Sequence, residues 1–410
     1  MNEVYDVCVL GLGYIGLPTA SIFATKGKRV LGVDLQSHVV ETINQGKIHI
    51  EEPDLDILVR AAVQSGNLVA ATKPECSNVY IIAVPTPFLE SEHGRLPDLS
   101  YVESAARSIA CVIKPGALVI LESTSPVGTT EKVRDWLLDE LGSGFSDADF
   151  HFAHCPERIL PGQMLKELVT NDRIAGGLSP EASERAKELY EIFCSAEIFV
   201  TDARTAELAK LTENSFRDVN IAFANELSMI CDKLGIDVWE LIHLANRHPR
   251  VKILSPGPGV GGHCIAVDPW FIVSAAPEQA RLIRTAREVN DSKPRHVLNL
   301  IREKANRFRD PVIACLGLTF KADVDDMRES PALHIVEEVV KAKLGRILVA
   351  EPHTHALPVS IRDGAMLVTA DEAVKQADII VLLVDHKPFK RISKRILEQR
   401  IVIDTRGCWA

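Results

Sequence analysis

The chain has 410 residues, of which 46% are hydrophobic and 25% charged, and its formal net charge is −10 at pH 7. This composition is ordinary for a globular protein with a sizeable core, and the length predicts two or three domains. The negative charge argues against nucleic acid or an anionic membrane as the main partner, although local basic residues can still bind an anionic substrate.

The nine cysteines are scattered, without CxxC pairs or close Cys/His clusters. We therefore expect reduced thiols, no disulfide framework and no metal site. No apolar run approaches the ~20 residues that span a bilayer, and the N-terminus has no leader pattern. These features predict a cytoplasmic protein.

The N-terminal part alternates short apolar runs with helical stretches. A strand is predicted over Val4–Leu10, a helix from Leu17 to about Lys26, and a second strand over Arg29–Val33, which together form a βαβ unit. Further strands are predicted at Asn78–Val84, Ala117–Glu122 and Phe150–Cys155. The alternation predicts a doubly wound sheet in a first domain over residues 1–200.

The pattern becomes helical near residue 200. One long helix is predicted from Ala203 to about Leu234, because this stretch is rich in Ala, Leu, Glu and Asn and has no Gly or Pro. Helices at Val238–Asn246 and from about Pro277 to Asn306 flank a glycine-rich loop. A central helical domain is therefore expected over residues 201–306.

Strands and helices alternate again after Asp310-Pro311. The predicted elements are strands at Val312–Gly317, Arg346–Glu351, Ile379–Val384 and Ile401–Asp404, and a helix at Pro331–Lys343. They define a third domain over residues 307–410. The predicted fold class is α/β, with two Rossmann-like doubly wound domains joined by a helical central domain that contains a long helix.

A dinucleotide-binding fingerprint follows the first predicted strand. In Gly11-Leu12-Gly13-Tyr14-Ile15-Gly16, the first glycine permits a tight turn, the second allows the backbone to approach a pyrophosphate, and the third allows close helix–strand packing. Asp34 ends the second strand about 20 residues on, where a carboxylate accepts hydrogen bonds from ribose hydroxyls. The site is therefore expected to bind NAD rather than NADP.

Two more strands end in polar loops. Val84-Pro85-Thr86-Pro87 and Glu122-Ser123-Thr124 both lie where ligands bind a sheet of this kind. Pro85, Thr86 and Thr124 are therefore expected near the nicotinamide ring and the substrate. Plain strand-to-loop turns are the alternative reading.

The glycine-rich loop contains one cysteine, with a carboxylate four residues further on. Cys264 is the predicted nucleophile, which reacts as a thiolate and needs nearby cations or N–H donors. Lys210 and Asn214 lie one turn apart on the long helix and face the same side, and Asp268 could orient Lys210 or a water. Glu157 could activate water to hydrolyse a thioester. The alternatives are that Cys264 is a buried structural cysteine, that Lys210 and Asn214 lie on a solvated helix face, and that Glu157 is a surface carboxylate.

These motifs, in this order, resemble the nucleotide-sugar 6-dehydrogenase family, which includes UDP-glucose and GDP-mannose dehydrogenases. The matching segments are Gly11–Gly16, Val84–Pro87, Glu122–Thr130, Pro156-Glu157, Glu207–Glu226, Gly261–Asp268, Gly317–Lys321 and Asp326–Ala332. The resemblance implies a four-electron oxidation with two NAD per turnover. A C6 alcohol becomes an aldehyde, Cys264 traps it as a thiohemiacetal, a second oxidation gives a thioester, and water releases the uronate.

The resemblance also implies the roles of individual residues. Lys210 and Asn214 match residues that stabilise the oxyanion, Asp268 and Thr124 match those that hold the water, and Glu157 matches the residue assigned to thioester hydrolysis. The nucleotide sugar is expected to contact both the loop regions and the third domain. The implied substrate-binding residues are Glu157, Arg158, Lys210, Asn214, Arg250, Gly261, Phe320, Lys321, Arg328 and Arg406. Arg250 is expected to reach a neighbouring subunit's site, and the long helix to pair with its counterpart in a homodimer or higher homo-oligomer.

Four segments, Cys155–Gly162, Leu211–Glu226, Asn246–Arg250 and His263–Ile272, resemble the branch of this family that oxidises UDP-N-acetyl-D-mannosamine. UDP-glucose enzymes typically have Asn-Pro-Glu-Phe in place of Cys155-Pro156-Glu157-Arg158, which counts against glucose. The expected substrate is UDP-N-acetyl-D-mannosamine, oxidised to supply surface polysaccharides such as enterobacterial common antigen. UDP-N-acetylglucosamine is the near alternative, because epimers differ by a few pocket contacts. More distant alternatives are a two-electron hydroxyacid dehydrogenase and a non-catalytic NAD-binding regulatory protein.

Overall fold

The computed structural model describes residues 4–50, 52–91, 94–159, 162–262 and 264–409. The chain forms two compact units. The first comprises the chain up to Glu213 together with Trp270–Ala276, and the second comprises Asn214–Pro269 and the chain from Pro277 onward.

The first unit is built on a large twisted sheet. Its strands, with a separate hairpin formed by β5 and β6, are β1 (Tyr5–Leu10), β2 (Val30–Val33), β3 (Leu68–Ala71), β4 (Ser77–Ile82), β5 (Phe88–Ser91), β6 (Gly94–Pro97), β7 (Leu118–Leu121), β8 (His151–His154), β9 (Arg173–Gly177) and β10 (Ile198–Asp202). The sheet order is β10-β9-β8-β7-β4-β1-β2-β3, and every neighbouring pair is parallel except β8 and β9.

Helices connect these strands. They are α1 (Gly16–Thr25), α2 (Ser37–Asn44), α3 (Leu55–Gln64), α4 (Ser100–Ile109), α5 (Thr129–Leu141), α6 (Met164–Thr170) and α7 (Pro180–Tyr190). The strand order reverses on either side of β1, between β2 and β4. Ligands bind beyond the carboxyl ends of the strands at such a switch point.

The second unit contains a parallel five-stranded sheet of order β13-β12-β11-β14-β15. Its strands are β11 (Val312–Leu316), β12 (Arg346–Ala350), β13 (Ala365–Leu367), β14 (Ile379–Leu382) and β15 (Ile401–Asp404). The remaining helices are α8 (Ala203–Leu234), α9 (Val238–Ala245), α10 (Asp268–Ala275), α11 (Arg281–Ala305), α12 (Pro331–Lys341), α13 (Ala370–Gln376) and α14 (Lys394–Leu397), of which α8 and α10 contain residues of both units.

Each sheet is buried on both faces because alternate residues of its central strands enter separate cores. In β1, Val7 and Val9 join one core and Cys8 and Leu10 the other. In β11, residues 313 and 315 are divided from residues 314 and 316 in the same way. Each fully buried Val or Leu contributes roughly 1.5–3 kcal/mol, so these apolar runs fix the strands.

The predicted architecture is confirmed, with one mainly parallel and one fully parallel sheet and the long helices α8 and α11. Helix α8 has the predicted bounds, whereas α11 begins at Arg281 rather than near Pro277. Strand β9 was not predicted from the sequence, since it begins with a buried arginine and ends in two glycines. None of the helices that the structure describes is both long and apolar enough to cross a membrane.

Candidate functional site

The turn after β1 has the geometry of a dinucleotide-binding loop. Gly11 has a φ of 92°, and its N–H donates to the carbonyl of Val33 at 2.8 Å. A Cβ at Gly11 would lie 2.5 Å from the carbonyl oxygen of Ala83, so no other residue fits this turn. The backbone of Gly11 is therefore held between β2 and the loop after β4.

The same turn leaves room for a dinucleotide. A Cβ at Gly13 would meet nothing within 4 Å, and Tyr14 and Ile15 are partly exposed just before α1. No side chain of the described residues caps the start of α1. Its N–H groups and helix dipole are thus available to a pyrophosphate.

Asp34 lies beside this turn. Its Oδ2 accepts from the Leu12 N–H at 3.2 Å and its Oδ1 from the Gln36 N–H at 2.9 Å. The carboxylate is fixed but only partly buried. It is therefore placed to accept hydrogen bonds from ribose hydroxyls, and the turn fits NAD.

The two polar loops after β4 and β7 are joined to each other. The Thr86 hydroxyl donates to the carbonyl of Thr124 at 2.6 Å, and the Ser123 hydroxyl donates to the carbonyl of Val84 at 2.7 Å. Pro85 lies exposed between these bonds. The structure thus brings the predicted residues of the two loops together at one edge of the sheet.

Glu207 on α8, to which the sequence analysis assigned no role, holds the second of these loops. Its carboxylate is buried and accepts from the Gly128 N–H at 2.6 Å, the Thr130 N–H at 2.8 Å and the Thr130 hydroxyl at 2.6 Å. Burial raises the pKa of Glu207, while these donors oppose the rise. Helix α8 is thereby attached to the start of α5.

Glu157 is held in a buried charge cluster at the carboxyl end of β8. Its Oε2 accepts from Nη2 of Arg173 at 2.6 Å, and its Oε1 accepts from the Arg158 N–H at 2.6 Å. Arg173 also lies 3.8 Å from Glu122, which accepts from the Tyr190 hydroxyl at 3.0 Å. Burial, and then the charge of Glu157, raise the pKa of Glu122 to about 8.

The sequence analysis missed Arg173 and assigned no role to Glu122. One arginine between two buried carboxylates neutralises a single negative charge, which agrees with the raised pKa of Glu122, whereas Glu157 forms the direct ion pair with the arginine. The available sequence signal was an arginine directly before the apolar residues of β9. Its significance depended on which strands become neighbours in the sheet.

Lys210 is partly exposed on α8, and the buried ring of His154 lies in the same unit. Burial is the main cause that lowers the pKa of His154 to about 3, and the charge of Lys210 adds to it. Neither ring nitrogen has a hydrogen-bond partner within the described part of the chain. His154 is therefore neutral.

Arg158, a predicted substrate-binding residue, forms an ion pair with Glu213 at 2.6 Å.

Three further predicted residues come together in the second unit. Asn214 donates from Nδ2 to Oδ2 of Asp268 at 2.5 Å. The N–H of Asp268 donates to the carbonyl of Cys264 at 2.8 Å, in the turn that leads into α10. Asp268 is buried whereas Cys264 is exposed. Asn214 is thus a partner that the sequence analysis had not assigned to Asp268.

The glycine loop before Cys264 packs against predicted substrate-binding residues of the same unit. A Cβ at Gly261 would lie 2.4 Å from the Glu329 carbonyl oxygen, and one at Gly262 would lie 3.0 Å from the Phe320 ring. A Cβ at Gly257 would lie 2.8 Å from Nη1 of Arg406. The structure therefore brings this loop, Phe320 and Arg406 together.

The other predicted substrate residues of this unit are arranged differently. Lys321 is exposed directly after Phe320, and Arg250 is exposed at the end of the segment that follows α9. Arg328 is exposed but forms an ion pair with Asp326 at 2.7 Å. Of these three cations, Lys321 is thus the one nearest in sequence to a residue that contacts the glycine loop, namely Phe320.

The five-stranded sheet repeats the turn of the first sheet with a different carboxylate. Gly317 has a φ of 93°, and its N–H donates to the carbonyl of Ala350 at 2.9 Å. Glu351, at the place of Asp34, accepts from the Leu318 N–H at 2.7 Å and lies 3.2 Å from Nε2 of the buried His386. Glu351 is buried and fully engaged, so it is not available to a ribose.

A group that could hold a metal ion lies beside it. Ligand atoms of Asp323, His353 and His386 lie within 4.8 Å of one another. However, Nδ1 of His386 accepts from the Asp323 N–H at 2.9 Å, and its Nε2 lies 3.2 Å from Glu351. Both ring nitrogens are therefore already engaged, and this group is better explained as part of the fold.

The chain matches three domains of one protein family. Residues 5–194 match the NAD binding domain of the UDP-glucose/GDP-mannose dehydrogenase family, residues 204–292 its central domain, and residues 314–410 its UDP binding domain. Together these matches cover most of the chain.

Individual relatives are similar over nearly their whole length. An NDP-N-acetyl-D-galactosaminuronic acid dehydrogenase from Ralstonia nicotianae is 60% identical, with 98% of this chain and 96% of the relative covered. A UDP-N-acetyl-D-mannosamine dehydrogenase from Escherichia coli is 55% identical, with 98% and 99% covered. The solved structure of a UDP-D-ManNAc dehydrogenase from Pyrococcus horikoshii superposes with a TM-score of 0.88 at 42% identity, covering 99% of this chain and 96% of that one.

Proposed function

The chain belongs to the UDP-glucose/GDP-mannose dehydrogenase family, and we propose that it oxidises the C6 alcohol of UDP-N-acetyl-D-mannosamine to the uronate in a four-electron reaction. The observation that carries this proposal is the packing around Cys264. An exposed thiol adjoins a buried Asp268 that is paired with Asn214. A two-electron alcohol dehydrogenase needs no such nucleophile, whereas oxidation past the aldehyde does.

NAD would be held by the turn at Gly11–Gly16, with Asp34 accepting from its ribose. When bound, NAD supplies the hydride acceptor for both oxidations. Pro85, Thr86 and Thr124, on the two joined loops, would line the site of the reacting ring. The chemistry of this donor set fits a dinucleotide without a 2′-phosphate, because the carboxylate of Asp34 would repel one.

Cys264 is proposed to attack the C6 aldehyde and form a thiohemiacetal. Lys210 and Asn214 would stabilise the developing oxyanion, and such donors are worth several kcal/mol in a transition state. Lys210 would also accept the proton of the substrate alcohol. Asp268 would hold the hydrolytic water together with Thr124, since its carboxylate already has a fixed orientation through Asn214.

Glu157 is proposed to act in hydrolysis of the thioester on Cys264. Its carboxylate is held by Arg173 and by the Arg158 N–H. Arg158 would contact the substrate from the same strand end. A fixed carboxylate at this place can orient water for attack and receive its proton.

The UDP-sugar is proposed to bind in the second unit, which contains the family's UDP binding domain. The residues that would contact it are Gly261, Phe320, Lys321 and Arg406. Arg328 would also contact it once its ion pair with Asp326 is replaced by one with the substrate. Cationic side chains suit the diphosphate. Arg250 is exposed and is proposed to reach the site of a second copy of the chain.

A second candidate substrate is the N-acetylgalactosamine nucleotide. The relative from Ralstonia nicotianae, at 60% identity, has a name that refers to N-acetyl-D-galactosaminuronic acid. Substrates that differ only in the configuration of one hydroxyl or N-acetyl group are separated by a few contacts. UDP-N-acetylglucosamine is therefore a third epimer to be tested.

We also propose a homodimer formed through α8. Phe216, Phe223 and Ile230 recur every seven residues on this helix and are 70%, 51% and 46% exposed. This spacing gives one apolar stripe, as in helices that pair with a partner.

The proposal also includes a cytoplasmic location and a role in surface polysaccharide synthesis. The chain is further proposed to form three domains, divided at residues 200/201 and 306/307.

The decisive experiment is to count NADH formed per sugar with limiting UDP-ManNAc, UDP-GlcNAc or UDP-GalNAc. We expect two NADH per UDP-ManNAc and little from the other two. Two NADH from another epimer alone would keep the mechanism and overturn the substrate. One NADH from any of them would refute the four-electron reaction.

The nucleophile is tested separately with Cys264→Ser, compared with Cys111→Ser, which alters an exposed cysteine of the first unit. We expect Cys264→Ser to lose at least about 10²-fold in turnover while UDP binding is kept. This loss equals the lower end of what a positioned general acid or base contributes, and a nucleophile should matter at least as much. Undiminished two-NADH turnover in this variant would remove Cys264 from the mechanism.

A further inference from the structure

Helix α8 presents a row of polar side chains to α11 and to the segment that contains Cys264. Asn214, Asp218 and Asn225 are spaced by four and seven positions, so they lie on one face of the helix. Asp218 and Asn225 are fully buried. Their polar groups therefore depend on partners within the protein, and Oδ2 of Asp218 has none among the described residues.

Asn225 uses both ends of its amide. Its Oδ1 accepts from the Gly257 N–H at 2.8 Å, and its Nδ2 donates to Oδ1 of Asn290 at 2.8 Å. Asn290, on α11, donates in turn to Oδ1 of Asp218 at 2.8 Å and to its carbonyl at 3.1 Å. Because each donor meets an acceptor, the amide of Asn225 has one orientation.

Asp218 completes the row. It accepts from Nη1 of the buried Arg287 at 2.6 Å. Burial raises the pKa of Asp218, and the charge of Arg287 opposes that rise. The row is thus a chain of paired buried groups that runs from Arg287 to the backbone of Gly257.

The segment between Gly257 and Asp268 is consequently attached to α8 at both ends. Asn225 binds its first residue and Asn214 binds Asp268, while Cys264 lies between them. The intervening glycines pack against Phe320 and Pro331. The position of the thiol therefore depends on where α8 holds the two ends.

We propose that Asn225 is a positioning residue for the thiol of Cys264, acting through the backbone of Gly257. The inference rests on the proposed role of Cys264 in the reaction. Removing the Asn225 amide leaves the Gly257 N–H unpaired in a buried place and releases one end of the segment. A shift of about 1 Å in a reacting group can reduce a rate by roughly 10²-fold.

The test compares Asn225→Ala with Asn225→Asp in the full chain. The aspartate variant keeps an oxygen for the Gly257 N–H, whereas the alanine variant does not. Asn44→Ala is the control, because the amide of Asn44 also accepts from a backbone N–H and donates to an oxygen, in its case both of Ala70, at 2.8 and 2.9 Å, far from Cys264 in sequence. Two readouts are used: kcat with the Kd for UDP, and the iodoacetamide labelling rate of Cys264 relative to the exposed Cys111, by mass spectrometry.

We expect Asn225→Ala to lower kcat at least tenfold and to change the Cys264/Cys111 labelling ratio at least threefold, with the Kd for UDP within twofold of wild type. Asn225→Asp keeps the acceptor for the Gly257 N–H but loses the donor to Asn290, so only its labelling ratio is expected to lie between the alanine variant and wild type. Asn44→Ala is expected to match wild type in both readouts. An unchanged kcat and labelling ratio in Asn225→Ala would overturn the proposal.

The labelling ratio separates this inference from the proposed function. If Cys264→Ser retains two-NADH turnover, the nucleophile assignment fails, yet the ratio still reports whether Asn225 sets the thiol's environment. If Cys264→Ser is inactive and Asn225→Ala has a normal ratio and kcat, only the positioning role fails.

Discussion

Arg173 donates from Nη2 to Oε2 of Glu157 across 2.6 Å, and both side chains are almost completely buried. The guanidinium also lies 4.5 Å from the centre of the Tyr190 ring. Arg173 is therefore held by a carboxylate and an aromatic face together. The orientation of Glu157 depends on an arginine of β9, 16 residues away in the chain.

Arg173→Met tests this dependence. If Glu157 acts in thioester hydrolysis, its displacement slows that step more than the oxidations, so the acyl-enzyme on Cys264 accumulates and turnover falls about 10²-fold. Intact-protein mass spectrometry after substrate addition measures the adduct. Breaking a buried ion pair costs about 3–5 kcal/mol of stability, so thermal unfolding is recorded in parallel.

Two comparisons make that result specific. Arg107→Met removes a partly exposed arginine with three carboxylate neighbours and is expected to show normal turnover. Arg173→Met combined with Glu157→Gln removes both members of the buried ion pair and should recover stability but not turnover. Full turnover without an adduct in a folded Arg173→Met protein would separate Arg173 from the chemistry.

The buried Glu122 predicts a pH-dependent stability. Its pKa is raised to about 8, so between roughly pH 4.5 and pH 8 the folded protein binds a proton that the unfolded chain has lost. Its contribution to stability is present at low pH and is lost as the pH rises through this window. Glu122→Gln removes the dependence, because a neutral amide keeps the shape without titrating.

We expect the difference in Tm, Glu122→Gln minus wild type, to increase by about 2–4 °C or more from pH 5 to pH 8. This increase corresponds to about 1 kcal/mol of unfolding free energy. Glu303→Gln, at an exposed carboxylate whose pKa is lowered by Lys304, is the control and should show the opposite trend or none. A constant difference between Glu122→Gln and wild type across this range would show that Glu122 is ionised in the fold.

Asp34→Ala tests the cofactor site. Loss of a charged acceptor for the ribose should raise the KM for NAD about tenfold or more, since hydrogen bonds to charged groups contribute about 1.5–3 kcal/mol. The KM for the UDP-sugar, measured at saturating NAD, is the internal control. If the KM for NAD does not change, Asp34 serves only the Leu12 and Gln36 N–H groups.

Phe223→Asp tests the apolar stripe on α8. A charge at the centre of a helix pair should weaken dimerisation by at least tenfold, measured by analytical ultracentrifugation over a concentration series. Ile57→Asp alters a residue that is 61% exposed on α3 and should leave association unchanged. A wild-type chain that is monomeric at all concentrations would refute the proposed dimer directly.

The sequence was most informative where local patterns are strong. The uninterrupted stretch Ala203–Leu234 and the spacing from Gly11 to Asp34 each follow from rules that act within one element or one βαβ unit. For the same reason Asn214 could be placed one turn after Lys210. These predictions needed no knowledge of which strands become neighbours.

The sequence was least informative where a partner comes from another element. Arg173 pairs with Glu157 because β9 runs antiparallel beside β8, and Asn225 meets Gly257 because the loop folds back on α8. A buried asparagine and a buried arginine look like surface residues in a sequence. Their importance follows from burial, which leaves their polar groups no water to bind.

The second glycine turn shows how little separates two kinds of nucleotide site. Gly317 and Leu318 reproduce the backbone of Gly11 and Leu12, and each turn donates an N–H to the carboxylate after the next strand. In the five-stranded sheet that carboxylate, Glu351, is already bound to His386. Adding glycines to this turn would therefore not by itself create a dinucleotide site, because the carboxylate of Glu351 would first have to be released from His386.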